Sequence, residues 1–378
     1  MKPPFIHPGL VVASFVFACS LAVMSAPALS ITSAPWGSTK EGKPVELYTL
    51  RNASGMEIKV TTYGCIIVSL TAPDRNGHLE DVVLGKDSLA EYEAGHPFFG
   101  AIAGRFANRI SHGKFSLEGK DYQVGLKAGT THHLHGGVAG FDKKVWAGTK
   151  VENPDSVGVA LKYTSPDGEE GYPGTLEATV TCLLNDKNEL SISYKATTDR
   201  PTILNLTNHS YFNLAGEGSG TALNHELTLF SDTITATDGD LIPTGKLASV
   251  TGTPLDFSTP HVIGERIEAD YLPLKQGIGY DHNYVLKGTG MKLAARVQEP
   301  KSGRVLEVLT DQPAVQLYTG NHLDKVKGKH GHVYDKRDGL CLETQHYPDS
   351  PNHSSFPSVT LRPGETFQSQ TIFRFSVH

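Results

Sequence analysis

The chain has 378 residues, 38% of them hydrophobic, with 39 glycines, 22 prolines and a formal net charge of −6. That composition allows a sizeable core in a turn-rich globular protein, built as one large or two ordinary domains. Its basic residues are scattered, which excludes an extended surface for tracking nucleic-acid phosphates.

The first element in chain order is a leader. Lys2 precedes an apolar stretch over residues 9–24, and Ser25-Ala26-Pro27-Ala28 follows it. A thin positive region, an apolar centre and an Ala-x-Ala site make the pattern of a secretory signal peptide. Residues 1–28 are therefore expected to be removed, leaving an exported protein, periplasmic or secreted, with no stable membrane association. The alternative is a retained anchor, but the stretch is short against the roughly 20 residues a spanning helix needs. Residues 29–39 are expected to be a flexible N-terminal segment. Residues 40–378 show no repeat and no Pro/Ser-rich linker and are read as one domain.

Short β-branched and aromatic runs then recur at 57–63, 66–71, 157–163, 177–184, 190–195, 227–229, 283–286, 292–298, 304–310, 314–318 and 371–377. Several alternate with period two, as in Leu190-Ser191-Ile192-Ser193-Tyr194, which predicts strands with one apolar face. Arg75-Asn76-Gly77 and Asn185-Asp186-Lys187-Asn188 supply hairpin turns. Helical patterns are confined to 88–94 and 262–267. The fold class this predicts is all-β, a large antiparallel sandwich with few short helices. Without the leader, the cysteines are Cys65, Cys182 and Cys341. They lie in strand-like apolar runs with no CxxC, and are expected as buried free thiols. The histidine groups 132–135 and 330–332 lack a complete ligand set at zinc spacing, so no metal is expected.

Five segments carry polar groups that a core strand does not need. Residues 104–110 hold Arg105 and Arg109 four apart, with Asn108 beside the second; a guanidinium fork suits hydroxyl or carboxylate oxygens. Leu134-His135-Gly136-Gly137 places a histidine at a backbone turn that glycine permits. Residues 205–214 embed His209 among Asn, Ser and Tyr. Asp281 follows Gly279-Tyr280, and Gln316 lies in a strand run. Residues 340–345 put one carboxylate, Glu343, inside an apolar stretch, where a charge is costly unless paired or used. Singly, each has a plain structural reading: surface arginines, a glycine turn, a core histidine, a turn aspartate, a solvent-facing strand position. Together they supply one carboxylate and one imidazole for acid–base work, with Arg, Asn, Asp, Gln and a second His as hydrogen-bonding groups. No dinucleotide fingerprint, phosphate-cradling loop or Gly-x-Ser-x-Gly elbow is present.

The set resembles the signature segments of the aldose 1-epimerase (galactose mutarotase) family. The match runs in order through His135, His209, Asp281 and Glu343, with 104–110, 140–143 and 361–365 fitting as well, and covers the chain from about residue 40 onward. The resemblance implies a mutarotase-like β-sandwich that interconverts the anomers of free aldoses without a cofactor. It also implies Glu343 as general base and His209 as general acid, with Asn108, Arg109, His135, Asp281 and Gln316 binding the sugar. A non-catalytic sugar-binding sandwich is the alternative, and needs no acid–base pair. An epimerase for phosphorylated hexoses would want a basic cluster that the sequence lacks, and a glycoside hydrolase a second carboxylate beside Glu343.

Overall fold

The structure is a computed structural model that describes residues 1–5, 9 and 28–378. Most of the expected leader, Cys19 included, lies outside the described residues. Three antiparallel sheets form the frame. The largest has nine strands, in the order Ala147–Asn153, Ser156–Ser165, Leu176–Asn185, Glu189–Thr198, Phe367–Val377, Arg304–Thr310, Lys292–Gln298, Glu226–Leu229 and His261–Val262. A five-stranded sheet runs from Ser30–Ser38 to Leu79–Asp81. The third, also of five strands, orders Pro243–Ser249, Thr233–Thr237, Asp281–Val285, Ala314–Tyr318 and Cys341–Gln345.

Alternation builds the sandwich. In Leu176–Asn185, every second residue from Leu176 to Leu184 is buried, and Glu189–Thr198 alternates in the same way. Their apolar faces meet those of the other two sheets in one core: Ile192, Leu306, Val308 and Phe373 from the large sheet, Tyr284, Val315, Leu317 and Leu342 from the third, and Leu50, Ile58 and Leu70 from the N-terminal sheet. Turn chemistry acts as read from sequence. Asn76 and Gly77 lie in the turn that joins Ile67–Pro73 to Leu79–Asp81, and 185–188 joins two paired strands of the large sheet.

Helices are short. Leu89–Ala94 is capped by Ser88, whose hydroxyl accepts from the Glu91 N–H while the Glu91 carboxylate accepts from the Ser88 hydroxyl and the Asp87 N–H. This reciprocal box makes so short a helix start where it does. The other α-helix among the described residues is Leu272–Gly277. The helical expectation at 262–267 reduces to one 3-10 turn, Ile263–Glu265, because Val262 is already committed to pairing with Glu226. The expectation of a flexible 29–39 is corrected: Ser30–Ser38 is an edge strand paired along its length with Pro44–Arg51. Its side chains are mostly exposed, so hydropathy gave no signal, yet backbone pairing needs none. Pro35, which has no N–H to donate, sits beside the break in register.

Candidate active site

The third sheet positions the carboxylate. Glu343 pairs with Gln316, which pairs with Asn283; Cys341 pairs with Tyr318, which pairs with Asp281. Directly opposed residues of an antiparallel ladder point to one face. Asp281, Gln316, Tyr318, Cys341 and Glu343 thus leave the sheet together, on the side away from Leu317 and Leu342. All five residues of Cys341–Gln345 are buried. One face is covered by the core; the other forms the floor of a cleft.

Loops and short strands supply the remaining walls. A cavity of about 160 Å³ is lined by Pro97, Phe98, Asn108, Arg109, Leu134, His135, His209, Tyr211, Asp281, Tyr318, His322 and Glu343. At roughly 30 Å³ per liquid water it holds the equivalent of about five waters, the scale of one small ligand. His209 enters directly after the short strand Thr207–Asn208. Its N–H donates to the Ala101 carbonyl and its own carbonyl accepts from the Gly100 N–H. The imidazole stacks with two aromatic rings, Phe98 at 5.7 Å and Tyr211 at 5.1 Å between centroids, both nearly parallel to it. Its Nε2 is 3.7 Å from Glu343 Oε1.

His135 and Asn108 fix each other. The His135 N–H donates to the Asn108 carbonyl, and the Asn108 N–H donates to His135 Nδ1 at 3.1 Å. Both residues adopt positive φ, at 48° and 64°, a strained region that side-chain hydrogen bonds must hold. Gly136 then passes so close to residue 104 that an added Cβ would meet the Gly104 carbonyl oxygen at 1.7 Å. Because burial pushes His135 well below its ordinary pKa, the ring is neutral, and with Nδ1 accepting, its proton sits on Nε2. His135, His209 and Glu343 each bring a ligand-type atom within 4.8 Å of the others. That tautomer leaves His135 Nε2 a donor without a lone pair, so the trio suits a hydroxyl oxygen better than a cation.

Arg109 Nη2 lies 3.6 Å from Asp281 Oδ2, and Gln316 Nε2 donates to Asp281 Oδ1 at 2.6 Å. Of the seven residues singled out from sequence, six line the cavity; Gln316 stands behind Asp281. Arg105 is a correction. It is buried away from the cleft, where it donates to the carbonyls of Ser165, Pro166, Pro173 and Gly174 and to the hydroxyls of Ser165 and Thr202. Phe98, Tyr211, Tyr318 and His322 are lining residues that the sequence reading did not single out. The signal available was the run His96-Pro97-Phe98-Phe99-Gly100, aromatic side chains at a turn.

Electrostatics divide the central pair. Burial, helped by the charge of Asp281, raises Glu343 well above its ordinary range, against the pull of Arg109. Burial, with Lys127 adding to it, pushes His209 down to about 4, while Asp281 acts the other way. Glu343 Oε2 is buried with no hydrogen-bond partner. A carboxyl and an imidazole with opposite displacements, side by side in a cleft, are chemically able to divide acid and base work.

Fold and site define an all-β protein that presents one carboxylate and one imidazole to a small polyhydroxylated ligand. A family profile described as aldose 1-epimerase matches residues 46–374, and the chain belongs to that family. It is 46% identical to the galactose mutarotase of Bos taurus over 92% of this chain and 99% of the relative. It is 38% identical to the aldose 1-epimerase of Escherichia coli over 89% and 96%. The crystal structure of galactose 1-epimerase from Lactobacillus acidophilus superposes with a TM-score of 0.82 at 30% identity, covering 93% of this chain and 99% of that one.

Proposed function

We propose that this protein is an aldose 1-epimerase that interconverts the α and β anomers of free hexoses such as galactose and glucose. The observation that carries the reading is the Glu343–His209 pair at 3.7 Å inside a single-sugar cleft. The anomeric hydroxyl and the ring oxygen are bonded to the same carbon, so the base and the acid that serve them must be close neighbours. In glycoside hydrolysis the paired carboxyls stand farther apart, about 5–5.5 Å or more.

Glu343 takes the proton of the anomeric hydroxyl while His209, as imidazolium, protonates the ring oxygen. The ring opens to the aldehyde, rotation about the C1–C2 bond exposes its other face, and closure with the roles reversed gives the other anomer. The pair carries one proton throughout. After opening, Glu343 holds it and His209 is neutral, which is the distribution that burial favours for both groups. The open-chain sugar is thus held by the state in which desolvation costs least. Arg109, Asn108, His135 and Asp281 grip the sugar hydroxyls, and Gln316 steadies Asp281. Tyr211 and Phe98 keep the imidazole in plane. Polarimetry of freshly dissolved α-D-glucose and α-D-galactose tests the assignment: the protein accelerates the approach to equilibrium rotation, and Glu343→Gln and His209→Ala abolish most of it. If both variants relax the sugar as fast as the parent, the mechanism is wrong.

The leader pattern supports export: residues 1–28 direct the chain out of the cytoplasm and are cleaved after Ala28. Cell fractionation followed by N-terminal sequencing should find mature protein beginning at Leu29 in the periplasm or medium.

A further inference from the structure

Two groups press on His209 that the reaction above does not use. Its Nδ1 lies 3.4 Å from Cys341 Sγ, its one side-chain hydrogen-bond partner among the described residues. The Phe98 ring that stacks on it carries Lys127 Nζ at 4.3 Å from the ring centroid. Cys341 stands one alternation from Glu343 on the same strand, so the register that fixes the base fixes the thiol too. In Ser-His-Asp triads the corresponding nitrogen meets a carboxylate, which stabilises the imidazolium. A thiol is a weak acceptor, and burial holds this one protonated, its pKa well above the ordinary value.

We propose that Cys341 and Lys127 are positioning residues that set the acidity of His209: the thiol orients the ring with a weak, uncharged partner, and the ammonium opposes a second positive charge nearby. His209 then gives its proton readily to a ring oxygen, which is a poor base. The catalytic meaning of this rests on His209 being the acid. The other groups facing the ring are Glu343 and Asp281 from the sheet, Arg109 and His135 from the opposite wall, His96 behind Phe98, and the phenols of Tyr211 and Tyr318. Asp281 favours the imidazolium and Lys127 disfavours it, so removing Lys127 takes away one positive charge that works against Asp281.

The experiment is an NMR titration of the His209 ring in the parent, Lys127→Met, Cys341→Ser and Cys341→Ala, assigned with His209→Asn. The pH profile of kcat/KM is taken in parallel, over the range in which circular dichroism shows the fold intact. Lys127→Met removes the opposing charge and Cys341→Ser supplies a stronger acceptor. Each is expected to move the His209 titration, and the low-pH limb of the profile, upward by about half a unit or more. Cys341→Ala lowers kcat at every pH by freeing the ring. An unmoved titration in both Lys127→Met and Cys341→Ser overturns the proposal and leaves the two residues as packing. A parent that fails to accelerate mutarotation overturns the assigned function instead, while the titration still judges the tuning.

Discussion

Replacing Glu343 by Gln should remove activity and add stability, and the stability gain should grow with pH. The exchange keeps the shape of the side chain. Oε2 has no hydrogen bond to lose, and Oε1 is 3.7 Å from His209 Nε2, beyond hydrogen-bond length. A positioned base contributes on the order of 10²–10⁴ in rate, so kcat should fall by about a thousandfold. The stability effect follows from linkage. The folded-state pKa of Glu343 is raised above its ordinary 4.5 by burial and by Asp281. Above about pH 4.5 the unfolded carboxyl has lost its proton while the folded one keeps it. The parent therefore loses stability as pH rises, at up to ~1.4 kcal/mol per unit, until the folded pKa is passed. Glutamine has no such slope. Between pH 5 and 7 the variant should gain on the parent steadily for as long as the folded carboxyl keeps its proton. Urea unfolding at pH 5, 6 and 7, with polarimetry on the same samples, measures both effects. A stability difference that is flat or falls with pH would refute the claim that the carboxyl is held in a desolvated site.

Acid should unfold the parent for a related reason. Burial pushes His133, His209, His225 and His282 down to about 4 from an ordinary 6.5. Between those values the unfolded state binds more protons, so the stability present above pH 6.5 drains away as pH falls toward 4, at up to ~1.4 kcal/mol per unit for each ring. Melting temperatures that hold steady from pH 7 to 4 would show that these rings do not stay neutral. Arg105→Lys should cost about 3 kcal/mol or more in urea unfolding, because several buried acceptors lose their donor, with KM for the sugar left within about twofold. Arg109→Lys should do the reverse. The loss of a forked, charge-assisted contact raises KM about tenfold or more, the melting temperature stays close to the parent's, and parent-like kinetics would remove Arg109 from the binding site.

How far the sequence could be read differs residue by residue. Lys292–Gln298, Arg304–Thr310 and Ala314–Tyr318 have the bounds that alternation and turn residues mark out. Cys341–Gln345 was harder. Both its faces are covered, so the hydropathy alternation that tells inside from outside is missing, and Glu343 read equally well as a solvent-facing residue. The same blindness applies to Gln316, which is buried in the sheet directly opposite Glu343. Arg105 and Arg109 sit four apart in one motif, yet one braces a loop junction and the other faces the cleft; only the chain path separates them. Phe98 had no periodicity to announce it, since its place beside His209 depends on a turn of positive φ. Residue types and their order pointed to the chemistry, while distances decide who touches whom.

The short strand that holds Glu343 also carries Leu342 and Thr344 into the core, where Thr344 meets Thr371 of the large sheet. Cleft and core are therefore geared together: a one-residue slip would trade the carboxylate for an aliphatic or hydroxyl side chain and push a charge into the core. The chemistry is locked, but Pro97, Phe98 and His322 reach the cleft from outside the strands. Breadth of substrate can be retuned at Pro97 and His322, by selection or by design, without disturbing the proposed acid–base pair, whereas Phe98 is tied to the imidazole it stacks on.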